Sequence, residues 1–190
     1  MTSTQPSKLL SNLFEQIDED ARLTVLHIGP ALPETVDFFS RYRCKLHFLD
    51  LFGELPIVAE EDVPLSLDKQ FAELMQFPAG TYFDICLFWD LFNYMGSDAI
   101  ASFLLTLRPH LNPGSMAHGF AVHNLRSPPG DQIYAISELD ALTVRQRATA
   151  LPGYAPHPQS RLKTLLSCFR FDRSVLLADS RLEMLLSASL

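Results

Sequence analysis

Four short apolar runs, separated by segments long enough to form helices, constrain this chain more than any other feature. They are "RLTVLHIG" (22–29), "CKLHFLDLF" (44–52), "YFDICLFWD" (82–90) and "MAHGFAV" (116–122). Runs that are apolar throughout, rather than alternating, belong to strands covered on both faces. A strand that returns parallel to its neighbour needs a helix-length crossover, and such crossovers are right-handed. Residues 34–42, 66–76 and 97–107 read as helices: Val36, Phe38 and Phe39 can pack inward from the first, and Ser66 is placed to cap the second. "YFDICLFWD" is the most hydrophobic run and is expected at the centre of the sheet.

The rest of the chain fills in around this alternation. Leu9, Leu10, Leu13, Phe14 and Ile17 recur at helical spacing over 7–19, which predicts a helical extension over 1–20 ahead of the first strand. Residues 53–66, with Gly53, Pro56 and Pro64 among Glu54, Glu60, Glu61 and Asp62, read as a loop or short irregular helix. "LNPGS" (111–115) reads as a turn, 124–132 as a Pro- and Gly-rich loop, and 159–168 as a short amphipathic helix. The end of the chain reads as two strands joined at "ADSR" (178–181). The expected fold is α/β: one domain over 1–190 with a doubly wound, mostly parallel sheet and a C-terminal antiparallel hairpin. In such sheets ligands sit beyond the carboxyl ends of the strands, here the loops after residues 28, 49, 89 and 122.

Composition narrows the function. A chain of 190 residues buries about 70% of its unfolded surface and needs no disulfide or metal to fold. No apolar run approaches the roughly 18 residues of a membrane span, and the N-terminus lacks the pattern of a secretory leader, so the reading is a cytoplasmic protein. Cys44, Cys86 and Cys168 are odd in number and widely spaced, as expected of reduced thiols. A net charge of −7 argues against a nucleic-acid surface. The charge is uneven: residues 1–140 carry 8 basic and 19 acidic groups, residues 141–190 carry 7 and 3. Arg145, Arg147, Arg161, Lys163, Arg170, Arg173 and Arg181 therefore form either a solvated face or a docking face for an acidic protein partner. His27 and His47 have no third ligand at metal spacing, so no metal site is expected. A GxSxG elbow, a phosphate loop and a full GxGxxG fingerprint are all missing from the sequence.

The order of these pieces resembles the class I methyltransferases that use S-adenosylmethionine. The likeness covers roughly residues 22–188, and "LRPHLNPGS" (107–115) is similar to the run that precedes the fifth strand in that family. "WDLFNY" and "FDRSVLL" look more narrowly like a group of bacterial methyltransferase-like proteins. The resemblance implies a Rossmann-like methyltransferase fold and S-adenosylmethionine as cofactor, with a small molecule or a protein as methyl acceptor. Gly29 matches the first glycine of the family's glycine-rich turn, which also holds Pro30 and Ala31 here; Asp50, followed by Leu51, matches the acid that binds the ribose hydroxyls. Asp68 is the nearest residue by spacing for an adenine contact, and Asp90 lies where transfer would occur. This sequence has His27 where the family has an acid, and Ala31 and Pro33 where it has glycines. The turn therefore either holds the cofactor in an altered pose or belongs to a non-catalytic binding or regulatory module. For catalysis, Asp90 or His123 is expected as base, with Asn93 and Tyr94 orienting the acceptor.

Overall fold

The computed structural model describes residues 2–18, 20–59 and 66–190. It opens with β1 (Thr2–Pro6) and α1 (Leu10–Phe14), followed by β2 (Leu23–Ile28), α2 (Pro33–Phe39), β3 (Cys44–Leu49) and α3 (Leu67–Leu74). Next come β4 (Phe83–Trp89), α4 (Ser97–Leu107), β5 (Leu111–Val122), β6 (Gln132–Glu138) and β7 (Ala141–Gln146). The chain closes with α5 (Gln159–Leu165), β8 (Phe169–Leu176) and β9 (Arg181–Ala188). Among the described residues no helix is long and apolar enough to cross a membrane.

The main sheet runs β3-β2-β4-β5-β9-β8. β3, β2, β4 and β5 are parallel, while β9 and β8 are antiparallel additions. β4 is central and its Ile85, Cys86, Leu87 and Phe88 are fully buried, as its unbroken apolar run requires. Strand order reverses between β2 and β4, so the crevice of this fold lies where Gly29 leaves β2 and Asp90 leaves β4. α4 spans the residues expected of it, and Ser66 caps α3 by accepting the Lys69 N–H.

The sequence reading departs from the structure in three places. The N-terminal extension is not wholly helical: Thr2–Pro6 is a strand, and the helix is confined to Leu10–Phe14. "LNPGS" is not a turn ahead of a strand but a bulge within β5, where pairing jumps from Phe83–Leu111 to Ile85–Met116. Asn112 Oδ1 accepts the Gly114 N–H, and Ser115 Oγ donates to the Phe83 carbonyl, so the bulge keeps its polar groups paired. Finally, residues 132–146 form an unforeseen hairpin that joins β1 in a second sheet of order β1-β7-β6. The part of the 53–66 loop with Glu60, Glu61, Asp62 and Pro64 lies outside the described residues.

This small sheet is a cap over the carboxyl ends of the main one, and polar contacts fasten it at separate points. Thr35 Oγ1 on α2 accepts the Ile136 N–H, and Glu34 pairs with Arg145. Arg181 on β9 donates from all its guanidinium nitrogens, to Asp179, Gln5, Gln132 and the Tyr134 hydroxyl. Buried Glu183 gathers the segment after β1: it accepts from Ser7 Oγ, from the Lys8 N–H at 2.8 Å and from the Leu9 N–H at 3.1 Å, and pairs with His118 Nε2 at 2.8 Å. Burial alone would raise the Glu183 pKa, but these hydrogen bonds hold it below the usual carboxylate range.

Candidate functional site

At the end of β2, Gly29 has φ +125°, a conformation that L side chains rarely adopt, and its N–H donates to the Leu49 carbonyl of β3 at 2.8 Å. Pro33 does not stiffen the turn itself: it begins α2, the position where its missing N–H costs nothing. Pro30 is half-buried and Ala31 exposed. His27 is fully buried between Phe48 and Trp89, with ring centroids 5.1 and 5.3 Å away. Burial lowers its pKa to about 4, so the ring is neutral at physiological pH. Neither ring nitrogen makes a hydrogen bond of good geometry, although backbone groups of Gly29 and Tyr134 lie near enough to oppose the shift.

Asp50 follows β3 and is exposed; its carboxylate makes no hydrogen bond or ion pair among the described residues. Its Oδ2 is 3.7 Å from where a side chain on Gly53 would begin. Leu51 and Phe52 are buried behind it, and the Arg147 guanidinium lies 4.7 Å from the centre of the Phe52 ring. Asp68 is exposed in the first turn of α3. Among the described residues no strand separates β3 from α3, so Asp68 does not follow a strand end.

At the end of β4, Trp89 adopts φ +52°, a left-handed conformation uncommon for a bulky residue. Its carbonyl approaches Gly119 so closely that a Cβ there would meet it at 3.0 Å. The strained turn lays the indole flat on Tyr134 of the cap, with ring centroids 5.4 Å apart at 13°. Asp90 is 4% exposed. Among the described residues its Oδ1 has no hydrogen-bond partner, and its Oδ2 meets the Tyr134 hydroxyl at a long 3.5 Å. Burial pushes the Asp90 pKa up to about 7, against the opposing pull of Arg181 and Arg147.

A cavity of about 220 Å³ opens here. Asp90 and Asn93 line it with Gln132, Tyr154 and Arg181, but Tyr94, His123, Gly29, Pro30, Ala31, Asp50, Leu51 and Asp68 are not among its walls. The Tyr94 hydroxyl is bound to Asp131, and His123 is exposed with its N–H given to the Ser180 carbonyl. The site thus joins Asp90 to Asn93 and leaves Tyr94 and His123 aside. Sequence reasoning did not single out Tyr134 or Tyr154 and placed Arg147 only in the basic segment; Tyr134 and Arg147 belong to the stretch around 132–147, whose only cue to its fold was its run of β-branched and aromatic residues. The basic segment is not a continuous free patch. Arg145 pairs with Glu34, Arg170 with Asp172 and Arg181 with Asp179, while Arg147 and Lys163 lie over Phe52 and Phe171.

Comparison with known proteins supplies the context. No protein-family model matches the chain, and no curated protein matches it by sequence. Solved structures do. With 1,6-didemethyltoxoflavin-N1-methyltransferase of Burkholderia thailandensis, bound to 1,6-didemethyltoxoflavin and S-adenosylhomocysteine, the TM-score is 0.53 at 13% identity over 95% of this chain and 77% of that one. A S-adenosylmethionine-dependent methyltransferase of Clostridium acetobutylicum gives 0.53 at 11% identity over 95% and 91%. Mitomycin 7-O-methyltransferase gives 0.52 at 14% over 95% of this chain but 53% of its own length. At these identities the matches establish architecture, and the chain has the fold of the class I S-adenosylmethionine-dependent methyltransferases.

Proposed function

We propose that this chain is a S-adenosylmethionine-dependent methyltransferase acting on a small molecule held beside Asp90. The observation that carries this reading is Asp90 itself: a buried carboxyl group with an oxygen unpaired among the described residues, in the wall of a cavity beyond the carboxyl ends of β4 and β5. The residues also fit such a cofactor chemically. Asp50 offers a free carboxylate whose two oxygens can accept both hydroxyls of a ribose. Trp89 Nε1, Arg147 Nε and Asp90 Oδ1 are buried polar atoms without partners among the described residues, suited to the charged amino-acid end. His27 does not fit the part of the family acid, because it is neutral.

Bound there, S-adenosylmethionine supplies an electrophilic methyl group. The chain's own residues position the acceptor and take its proton. Asn93 and Tyr154 in the cavity wall orient an acceptor hydroxyl or amine, and Asp90, with a pKa of about 7, accepts that proton at neutral pH.

A second reading is favoured by the cap. Tyr134 stacked on Trp89 and Arg147 laid over Phe52 set the cap against the ends of β4 and β3, which supports a non-catalytic binding module. Thermal denaturation of the wild type and Asp50→Ala, each with and without S-adenosylhomocysteine, separates the two. The enzyme reading expects ligand to raise the wild-type melting temperature and leave Asp50→Ala unmoved; equal shifts would remove Asp50 from the site, and no shift in either would favour the module.

A further inference from the structure

The turn at Gly29 lacks the negative charge that the resembling family places there: His27 stands at the acid's position and is neutral. A cation reaches the turn's neighbour Phe52. Arg147, the residue after β7, lies over Phe52, and Phe52 is 4.0 Å from the point where a Gly29 side chain would begin. Arg147 also lies near enough to Asp90 for its charge to lower the Asp90 pKa. Arg181, the neighbouring cation, has its guanidinium nitrogens engaged by Asp179, Gln5, Gln132 and Tyr134. Arg147 does not: its Nε is buried and donates to nothing among the described residues, as does Trp89 Nε1.

Two physical arguments give this arrangement a ligand. A guanidinium laid over an aromatic ring keeps its in-plane N–H groups available, and their fork matches a carboxylate in two-point contact. A buried N–H without a partner costs stability that an anionic acceptor restores. We infer that Arg147, lying over Phe52 at the Gly29 turn, binds the carboxylate of the cofactor's amino-acid end, so that the cap takes over recognition of that end from the turn. This rests on the cofactor reading above. It also explains how a turn that has lost its acid can hold a zwitterionic group: the fixed charge there reads the carboxylate instead of the ammonium.

The test compares two ligands that share the adenosyl group. S-adenosylhomocysteine carries the amino-acid end and 5′-methylthioadenosine lacks it. By calorimetry, Arg147→Ala is expected to weaken S-adenosylhomocysteine binding about 10- to 100-fold while leaving 5′-methylthioadenosine unchanged. Arg147→Lys, which keeps the charge but not the fork, is expected to fall between. If Arg147→Ala does not fold, as judged by circular dichroism, Arg147→Gln gives the same comparison. Equal losses for both ligands, or no loss for either, would overturn the assignment while the cofactor reading stands. Failure of both ligands to bind the wild type would overturn the cofactor reading and this inference together.

Discussion

Asp90 is the residue on which most of the chemistry turns, and its environment makes a prediction independent of any ligand. Its folded-state pKa of about 7 lies above the ordinary value of 3.8, and burial is the main cause. An acid whose pKa rises on folding favours the folded state fully below the unfolded pKa, and that contribution is lost as pH rises through the folded one. The loss therefore runs between about pH 4 and pH 7. Three pKa units correspond to on the order of 4 kcal/mol. Asp90→Asn, which cannot ionise, is expected to be more stable than the wild type at pH 8 by a few kcal/mol and nearly equal to it at pH 4. Urea unfolding at the two pH values measures this, and an equal difference at both would contradict the buried-carboxyl account. The places of Gly29, Asp50 and Asp90 at the ends of β2, β3 and β4 were legible because an apolar run that stops at a glycine or a short polar residue announces a strand end. Arg147 was not, since nothing in "TVRQR" shows that a hairpin carries its guanidinium to Phe52.

The elements divide in the same way. α4 and β4 could be read with almost no error, because an unbroken apolar run and an amphipathic period leave few alternatives. The β6–β7 hairpin turns at Leu139 and Asp140 without a glycine, and β1, "TSTQP", has no apolar pattern and joins β7 through its backbone. β1 carries none of the signals from which strands are inferred, and the hairpin carries only its run of β-branched and aromatic residues. What holds them is long-range: Arg181 from β9, Glu183 from β9 and Thr35 from α2. Arg181→Met would leave Gln5, Gln132 and the Tyr134 hydroxyl without its donors. It is expected to cost about 2–4 kcal/mol and to speed amide exchange in β1, β6 and β7 while β2, β4 and β5 stay protected. Uniform loss of protection would show that the cap and the main sheet open as one unit.

Across the whole molecule, a main sheet of familiar order is combined with a cap built from both an N-terminal strand and an internal hairpin. The methyltransferase architecture places Asp50 and Asp90 on either side of the reversal in strand order, and the cap sets Tyr134 and Arg147 above them. The alternation of strands and helices made the main sheet legible; the cap was hidden because its stability comes from side chains distant in sequence. Binding of the fold's cofactor beside Asp50 and Asp90 is what separates the enzyme from the module. Its most direct test is calorimetric titration of the wild-type protein with S-adenosylmethionine and S-adenosylhomocysteine. One site is expected for each, with micromolar affinity or about −8 kcal/mol. No heat with either ligand, together with no thermal shift at millimolar concentration, would contradict it and leave the fold as a binding module closed by its own cap.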